Sequence, residues 1–468
     1  MSFIIYDLVF LAVFTLAVFV FLHSRKKNLK REGLMYLYRT QVGIKLIDWF
    51  GKKHARWLRP LQPVVITSGY LLMVGIVYFL VKLSYYYISS PYIAKALKVP
   101  VIFPLIPYLP EIFKIDFLPP FYFTYWIIII AIIAIPHEFA HGIFAKLNKV
   151  RIKSTGFGFL GPFLAAFVEQ DDKQMNKASK YSQLSVLAAG TFANVLMTIL
   201  FGVFLWGFFA GTFVPAGVNF SGYTTSVLNI SDVTTINGIP INDFNLDSDM
   251  PENTTFVNFT SYNNKTYFTN PEVIETVYTE KTDIILGYDD SPAFNAKLGS
   301  PISKFDGQSV TSYDELRSII LAHKPGDKVV IETIQKEGIK DYEVTLAERD
   351  GKAFLGVGIS QLNNKGVLAW LYNGLAKIKN PYVYYESKWG EFGMFINNLL
   401  WWIVIISFSV ALTNMLPLGP FDGGRFFMIT IWGITGNREW GETAFKWATW
   451  LLLALVAAMM VKWVLIFF

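Results

Sequence analysis

The sequence predicts a polytopic α-helical membrane protein of about six transmembrane helices, with a β-rich water-soluble domain inserted between spans four and five. Three observations predict it. Of 468 residues, 53% are hydrophobic and only 16% are charged, against about 25% charged in an ordinary soluble chain. The mean hydropathy is +0.39. Apolar stretches long enough for a bilayer, which takes roughly 20 residues of helix, recur along the chain and are interrupted by one long polar stretch. This composition excludes a disordered chain and a typical soluble enzyme. Cysteine is absent, which excludes disulfides, thiolate metal sites, iron–sulfur clusters and cysteine nucleophiles. The only histidines are His23, His54, His137, His141 and His323, so any imidazole chemistry comes from these.

The apolar stretches lie near Phe3–Leu22, Pro63–Ile88, Phe121–Ala145, Leu184–Phe209, Phe392–Ile434 and Ala444–Phe468. The first lacks a basic segment before it and a clear small-residue cleavage site after it, so it reads as a retained anchor. The fifth is too long for one simple span and is broken by Pro417, Gly419, Pro420, Gly423 and Gly424.

The net charge of +6 is uneven. Between His23 and Pro60, eleven Lys/Arg stand against Glu32 and Asp48. A basic cluster beside a span is usually cytoplasmic. The basicity therefore reads as topology and contact with anionic membrane lipid, and no nucleic-acid partner is expected. That orientation puts both termini and Ala210–Glu391 outside the cell membrane. It puts Lys146, Lys149, Arg151 and Lys153 inside, with Gly436–Glu442 as a short inner turn. The outer stretch is rich in Asn, Asp, Thr, Gly and Lys and carries N-glycosylation triplets at Asn219, Asn229, Asn253, Asn258 and Asn264, which are compatible with an outside location. Trp370, Tyr372, Tyr382, Tyr384, Tyr385 and Trp389, with several lysines, suit an interfacial helix over Gly366–Trp389. Tyr85, Tyr86 and Tyr87 read as aromatic-belt residues.

The third span contains Ile135-Pro136-His137-Glu138-Phe139-Ala140-His141. This is H-E-x-x-H. The i,i+4 spacing puts both imidazoles on one helical face, within reach of one metal ion. Glu138 lies beside them, where it can take a proton from a water on the metal. Three such residues at membrane depth are expensive and need partners. The bland alternative is a polar helix–helix contact or a cluster at the inner membrane boundary. A catalytic zinc usually has three protein ligands and one open position. The other histidines lie in loops, which points to a carboxylate from another span. Asp7 sits near the outer end of the first span, the wrong depth for His137. Asp422 sits at the break in the fifth span, toward the inner side where His141 falls. Unwound backbone there is tolerated only where protein or a water-filled cavity surrounds it. Asp422 reads equally as an N-cap for Gly423 onward with Arg425 as ion partner, and both roles can hold together.

H-E-x-x-H in one span and N-x-x-P-x-x-x-x-D-G from Asn414 to Gly423 in a later one resemble the site-2 protease family of intramembrane zinc metalloproteases. Ala188-Ala189-Gly190-Thr191-Phe192-Ala193-Asn194 resembles the family's G-x-x-x-N segment. Gly156–Glu169 resembles the membrane-associated β-hairpin that follows its H-E-x-x-H helix. Gly287–Ile359 resembles a PDZ domain, through Ser291-Pro292-Ala293, Phe305-Asp306-Gly307-Gln308-Ser309-Val310 and Lys324-Pro325-Gly326-Asp327. The resemblance covers roughly Phe121 to Ile434. It implies one zinc per chain held by His137, His141 and Asp422, with Glu138 as general base. It implies that Asn194 and Asn414 hydrogen-bond substrate or the tetrahedral intermediate. Substrates would be single-span transmembrane proteins already trimmed outside, and the lack of cysteine suggests an archaeal or bacterial source. Phe421 departs from the leucine often found before Asp-Gly. The PDZ stretch Gly-Leu-x-x-Gly-Asp is eroded to Lys297-Leu298-Gly299-Ser300-Pro301, which puts C-terminal peptide binding in doubt.

The chain then divides into an anchor and basic loop (1–62), a second span and outer loop (63–120), a catalytic core (121–212), a β-rich and degenerate PDZ-like region (213–284), a PDZ-like domain (285–362), an interfacial segment (363–391), the interrupted span (392–434) and a last span (435–468). Thr235-Ile236-Asn237-Gly238-Ile239-Pro240-Ile241 echoes Lys304–Val310, which suggests two tandem PDZ-like units; a coincidental strand–turn–strand is the alternative. The hairpin at Gly156–Glu169 reads either as a strand edge that holds an unwound substrate segment or as a plain interfacial loop. Two rival readings are a membrane zinc protease with Glu169 as third ligand and a non-catalytic PDZ-bearing scaffold or metal-binding protein. Oligomeric state is not legible.

Overall fold

The structure, a computed structural model, describes residues 3–33, 35–89, 105–113, 115, 118–250, 254–280, 282–335, 338–359 and 379–467. Two compact units emerge: Met1–Phe208 with Met394–Phe468, and Phe209–Gly393.

In the first unit the apolar stretches become helices: α1 (Phe3–Ser24), α3 (Ala55–Ser89), α4 (Phe123–Leu147), α5 (Lys180–Thr212), α6 (Gly390–Asn414) and α8 (Arg438–Phe467). Six helices are thus long and apolar enough to cross a membrane. Most extend beyond their apolar stretch, because a helix continues into polar residues until a cap stops it. α3 starts well before Pro63 and carries Pro60 and Pro63 inside it. The expected fifth span is two helices. α6 ends at Asn414, residues 415–421 turn, and the shorter α7 runs Asp422–Thr435. Gly436, with φ +73, closes α7, and α8 begins at Arg438, so the expected inner turn is far shorter than Gly436–Glu442.

Two apolar clusters hold these helices. Val65, Ile143, Val186, Ala188, Met415 and Phe426 gather α3, α4, α5 and α7 around the second half of α4. Phe123, Trp126, Ile129, Ile133, Trp402 and Ile406 pack α4 on α6. A polar knot ties α3 and α5 to the end of α4, in which Gln62 Nε2 donates to Asn148 Oδ1 (3.1 Å) and Ser185 Oγ (3.2 Å). Tyr87 corrects the belt reading of the three tyrosines. It is fully buried against Met459 of α8, whereas Tyr85 and Tyr86 are exposed.

The basic segment between the first two spans is not a plain loop. It forms strands β1 (Leu29–Glu32) and β2 (Met35–Thr40) and helix α2 (Ile44–Lys53). The strands extend the hairpin β3 (Ile152–Leu160) and β4 (Phe163–Gln170) into an antiparallel sheet of order β1-β2-β3-β4. Thr155 of β3 pairs Thr40 on one side and Val168 on the other. Strand β4 is therefore an edge, and it lies along α4.

Among its described residues the second unit has two larger sheets with separate cores, besides two two-stranded ribbons. Strands Thr225–Asn229, Ile284–Asp289, Thr266–Thr269, Val257–Ser261, Val233–Ile236 and Ile239–Pro240 lie in that order over Ile236, Val257, Phe259 and Ile274. Strands Gly338–Thr345, Lys328–Gln335, Ile302–Phe305, Phe213–Val218 and Val383–Ser387 form the other, over Ile302, Phe305, Leu316 and Ile331. The two echoing segments share one device. Asn237 (φ 49) with Gly238 (φ 78), and Asp306 (φ 50) with Gly307 (φ 79), make the same left-handed two-residue turn. The strand order around those turns is also the same, Thr266–Thr269, Val257–Ser261, Val233–Ile236, Ile239–Pro240 in the one and Gly338–Thr345, Lys328–Gln335, Ile302–Phe305, Gln308–Ser309 in the other, and the two sheets differ beyond it. Two boundaries need correction: Phe213–Val218 belongs to the sheet of residues 302–345, and Val383–Ser387 is a strand paired to it, not part of an interfacial helix. The rest of that expected helix, up to residue 378, lies outside the described residues.

Candidate metal centre

His137 and His141 stand one turn apart on α4, both nearly fully buried. Their Nε2 atoms are 3.1 Å from each other. Asp422, the first residue of α7, brings its Oδ2 to 3.4 Å from His137 Nε2 and 3.2 Å from His141 Nε2. Three ligand-type atoms thus form a near-equilateral triangle. Around a tetrahedral zinc with bonds of about 2.0–2.2 Å, ligand atoms sit about 3.3–3.5 Å apart. The donor set and its spacing fit such an ion.

The orientation of each ring agrees. His141 Nδ1 is 2.7 Å from the Val186 carbonyl, so it carries the proton and Nε2 keeps its lone pair for the centre. The His137 Nδ1 faces the Asn194 side-chain amide at 3.0 Å, while the Asn194 Oδ1 is buried without a partner. Exchanging the two ends of that amide, which have the same shape, satisfies both groups. The oxygen then accepts from Nδ1–H, and His137 Nε2 also offers a lone pair.

Two glycines make the approach possible. A Cβ on Gly190 would lie 2.6 Å from His137 Nε2, so only glycine lets α5 close on the two imidazoles. A Cβ on Gly423 would lie 2.5 Å from the Leu416 carbonyl oxygen, where the 415–421 turn folds back on α7. The Pro/Gly break therefore serves to deliver Asp422.

Glu138 is half-buried next to the triangle, and its Oε2 accepts from the Val168 backbone N–H of β4 (2.9 Å). Asn414 Nδ2 lies 3.4 Å from His137 Nε2. The alternatives raised for the carboxylates resolve differently. Arg425 donates to Asn176 Oδ1 (2.6 Å) and not to Asp422, and no side-chain cap bond is made at the start of α7. Glu169 is engaged by Ser154 Oγ (2.6 Å) and Arg39 Nε (2.9 Å), away from the imidazoles. The Ser154 hydroxyl, and then the Arg39 guanidinium, hold its carboxyl below the usual range. Among the described residues the other histidines pack elsewhere: His23 on Phe19, His54 on Phe50, His323 on Phe305.

Two buried imidazoles and a half-buried carboxylate thus meet at one point, and the family model of Peptidase family M50 matches residues 125–459, which include all three. The chain belongs to peptidase family M50. The match spans more than two thirds of it. An uncharacterised protein of Methanocaldococcus jannaschii is similar at 23% identity over 421 residues, covering 88% of this chain and 82% of that one. M50 membership makes the chain a metallopeptidase by family, and its six apolar helices are consistent with an integral membrane protein.

Sequence reasoning missed several contributors to this M50 centre. Val186 and Val168 act through backbone atoms, which leave no mark in residue type. The close-approach need at Gly190 was legible only as a small-residue run. Asp7 was weighed solely as a ligand. Its carboxylate instead caps the start of α4, accepting from the Phe123 (2.7 Å) and Thr124 (2.9 Å) N–H groups and the Thr124 and Tyr108 hydroxyls.

Proposed function

We propose that this M50 peptidase is an intramembrane zinc endopeptidase that cleaves single-span membrane proteins within or beside their transmembrane segment. The triangle of His137, His141 and Asp422 with Glu138 beside it carries the proposal. Those three residues would hold one zinc, which when bound polarises the scissile carbonyl and acidifies a water. Glu138 takes the attacking water's proton and passes it to the leaving amine. Asn414 is placed to donate to the substrate carbonyl, whereas Asn194 orients His137 and acts through it.

The substrate must be unwound before its backbone reaches this point. The edge of β4 runs along α4, with the Val168 N–H turned away from β3 toward Glu138. A substrate segment adding there as a strand would gain backbone hydrogen bonds and lie extended across the centre. The basic segment of β1, β2 and α2 is assigned to the cytoplasmic side, on anionic lipid, which puts both termini and the β-rich unit outside. In that unit residues 285–362 are read as PDZ-like, with the helix Tyr313–Ala322 beside the Ala353–Val357 strand region, and serve as a gate or size filter for substrates.

The test is Glu138→Gln on the full-length protein in membranes. Zinc near one per chain with no cleavage of a single-span substrate is the expected result. Cleavage at the normal rate overturns the mechanism, and a wild type that binds no zinc favours a scaffold. Glu169→Ala should keep zinc; loss of zinc there would restore Glu169 as the third ligand.

A further inference from the structure

Beside the metal centre, α4 and α6 line a half-open cavity of about 180 Å³. Ile130, Ile133 and Ala134 wall it from α4, and Ile406 and Val410 from α6. Its polar end is His137, Glu138 and Asn414. On both helices the lining climbs eight residues from apolar to polar, about 12 Å at the rise of an α-helix. The two walls therefore run side by side in one direction and finish together at the centre. Ile133 and Ile406 are buried and form its floor, whereas Ile130, Ala134 and Val410 are half-buried.

We propose that this cavity is the subsite for the side chain of one residue flanking the scissile bond, and that it selects aliphatic or single-ring apolar side chains. The proposal rests on the protease reading above. Size, polarity and position each contribute. The volume is below the roughly 300–1,000 Å³ of a site for a whole small molecule. It exceeds the roughly 150 Å³ cavity lined by aliphatic and phenyl groups that holds benzene. It therefore takes leucine, isoleucine, methionine or a phenyl ring, and is too tight for an indole. No Lys or Arg lines it, and its one acid is the proposed base. A charged substrate side chain would be desolvated there without a partner. Because the polar end is made of the centre's own residues, a side chain seated among the five apolar ones leaves its backbone carbonyl at His137 and Asn414. Ala134, one turn before His137, limits the depth from one wall. Val410, one turn before Asn414, limits it from the other.

The test uses full-length enzyme and a single-span substrate whose scissile-flanking residues are varied through Ala, Leu, Phe, Trp and Asp. Wild type should cleave the Leu and Phe members well and the Trp and Asp members poorly. Ala134→Leu should lower cleavage of Leu and Phe about tenfold or more relative to Ala, since one or two methylenes decide about 10–200-fold in an apolar pocket. Val410→Ala should shift preference toward Trp. Variants that change every member by the same factor overturn the subsite. A second arm needs no turnover. In Glu138→Gln protein, a diazirine analogue of leucine scanned along the substrate span should label Ile130–Ala134 or Ile406–Val410, and labelling confined elsewhere also overturns it. A wild type that cleaves no member while cross-linking at those residues sinks the protease reading and leaves the apolar subsite standing.

Discussion

Helix α4 meets a carboxylate from a distant part of the chain at its start and another in its second half, and the two are used in opposite ways. At the start, Asp7 is 1% exposed and has every lone-pair direction occupied by a donor: two backbone N–H groups and two hydroxyls. Those N–H groups are the unsatisfied ones at a helix N-terminus, and the negative charge suits the dipole there. In the second half of the helix, about two to three turns before its end, Asp422 has no such donors among the described residues. It faces two imidazole Nε2 atoms whose other nitrogens are tied to Val186 and Asn194. Both acids are costly in an apolar setting. What separates a brace from a site is the partners. A carboxylate saturated by protein donors is finished, whereas one that shares a point in space with two lone pairs is waiting for a cation.

The largest effect should come from breaking the triangle. Asp422→Ala removes one corner of the triangle and should take zinc from near one per chain to near none, with all cleavage lost, while the protein still folds. Chelation of wild type should reproduce the loss reversibly. Metal analysis with a cleavage assay checks both, and a variant that keeps zinc would mean that the triangle is not the site.

A smaller effect at the triangle concerns Asn194. If its oxygen accepts from His137 Nδ1–H, Asn194→Ala should weaken zinc binding about 10–100-fold, the usual cost of losing an orienting partner. Asn194→Asp keeps an acceptor and should hold most of the affinity. Equal losses in the two variants would mean that Asn194 donates to the ring and does not orient it for metal. Competition with a chelating dye reads this directly.

The same contrast explains what could be read from the sequence. His137, Glu138 and His141 are legible because their relation is local, four residues on one helix. Asp422 is legible because few intramembrane carboxylates compete for its depth. The helices are legible because apolar length alone defines them. β1 and β2 are not: their strands carry Lys30, Arg31, Glu32 and Arg39, which read as a charged loop, and β2 finds its partner more than a hundred residues later in β3. The Val383–Ser387 strand is hidden for the same reason, since its partner Phe213–Val218 lies on the far side of the inserted unit. Asp7 is visible, and only its capping role is hidden. Depth excluded it as a ligand, and nothing in the sequence says that the start of α4 lacks a cap of its own, as Tyr122 in fact does.

The start of α4 should respond to damage in stability and not in chemistry. Asp7→Asn keeps the shape but turns one oxygen into an NH2 that confronts the N–H donors of Phe123 and Thr124. A buried donor left unsatisfied costs about 1–3 kcal/mol, and loss of an N-terminal cap about 1 kcal/mol. The thermal midpoint in detergent should therefore fall, with zinc content unchanged. Cleavage measured well below that midpoint should stay within about twofold, because the cap sits more than three helical turns, or about 20 Å, from His137. A variant of normal stability would show that the cap is redundant. A fall in zinc affinity at normal stability would show that α1 reaches the metal through the helix it caps, and the cap and the triangle on α4 would then form one functional unit.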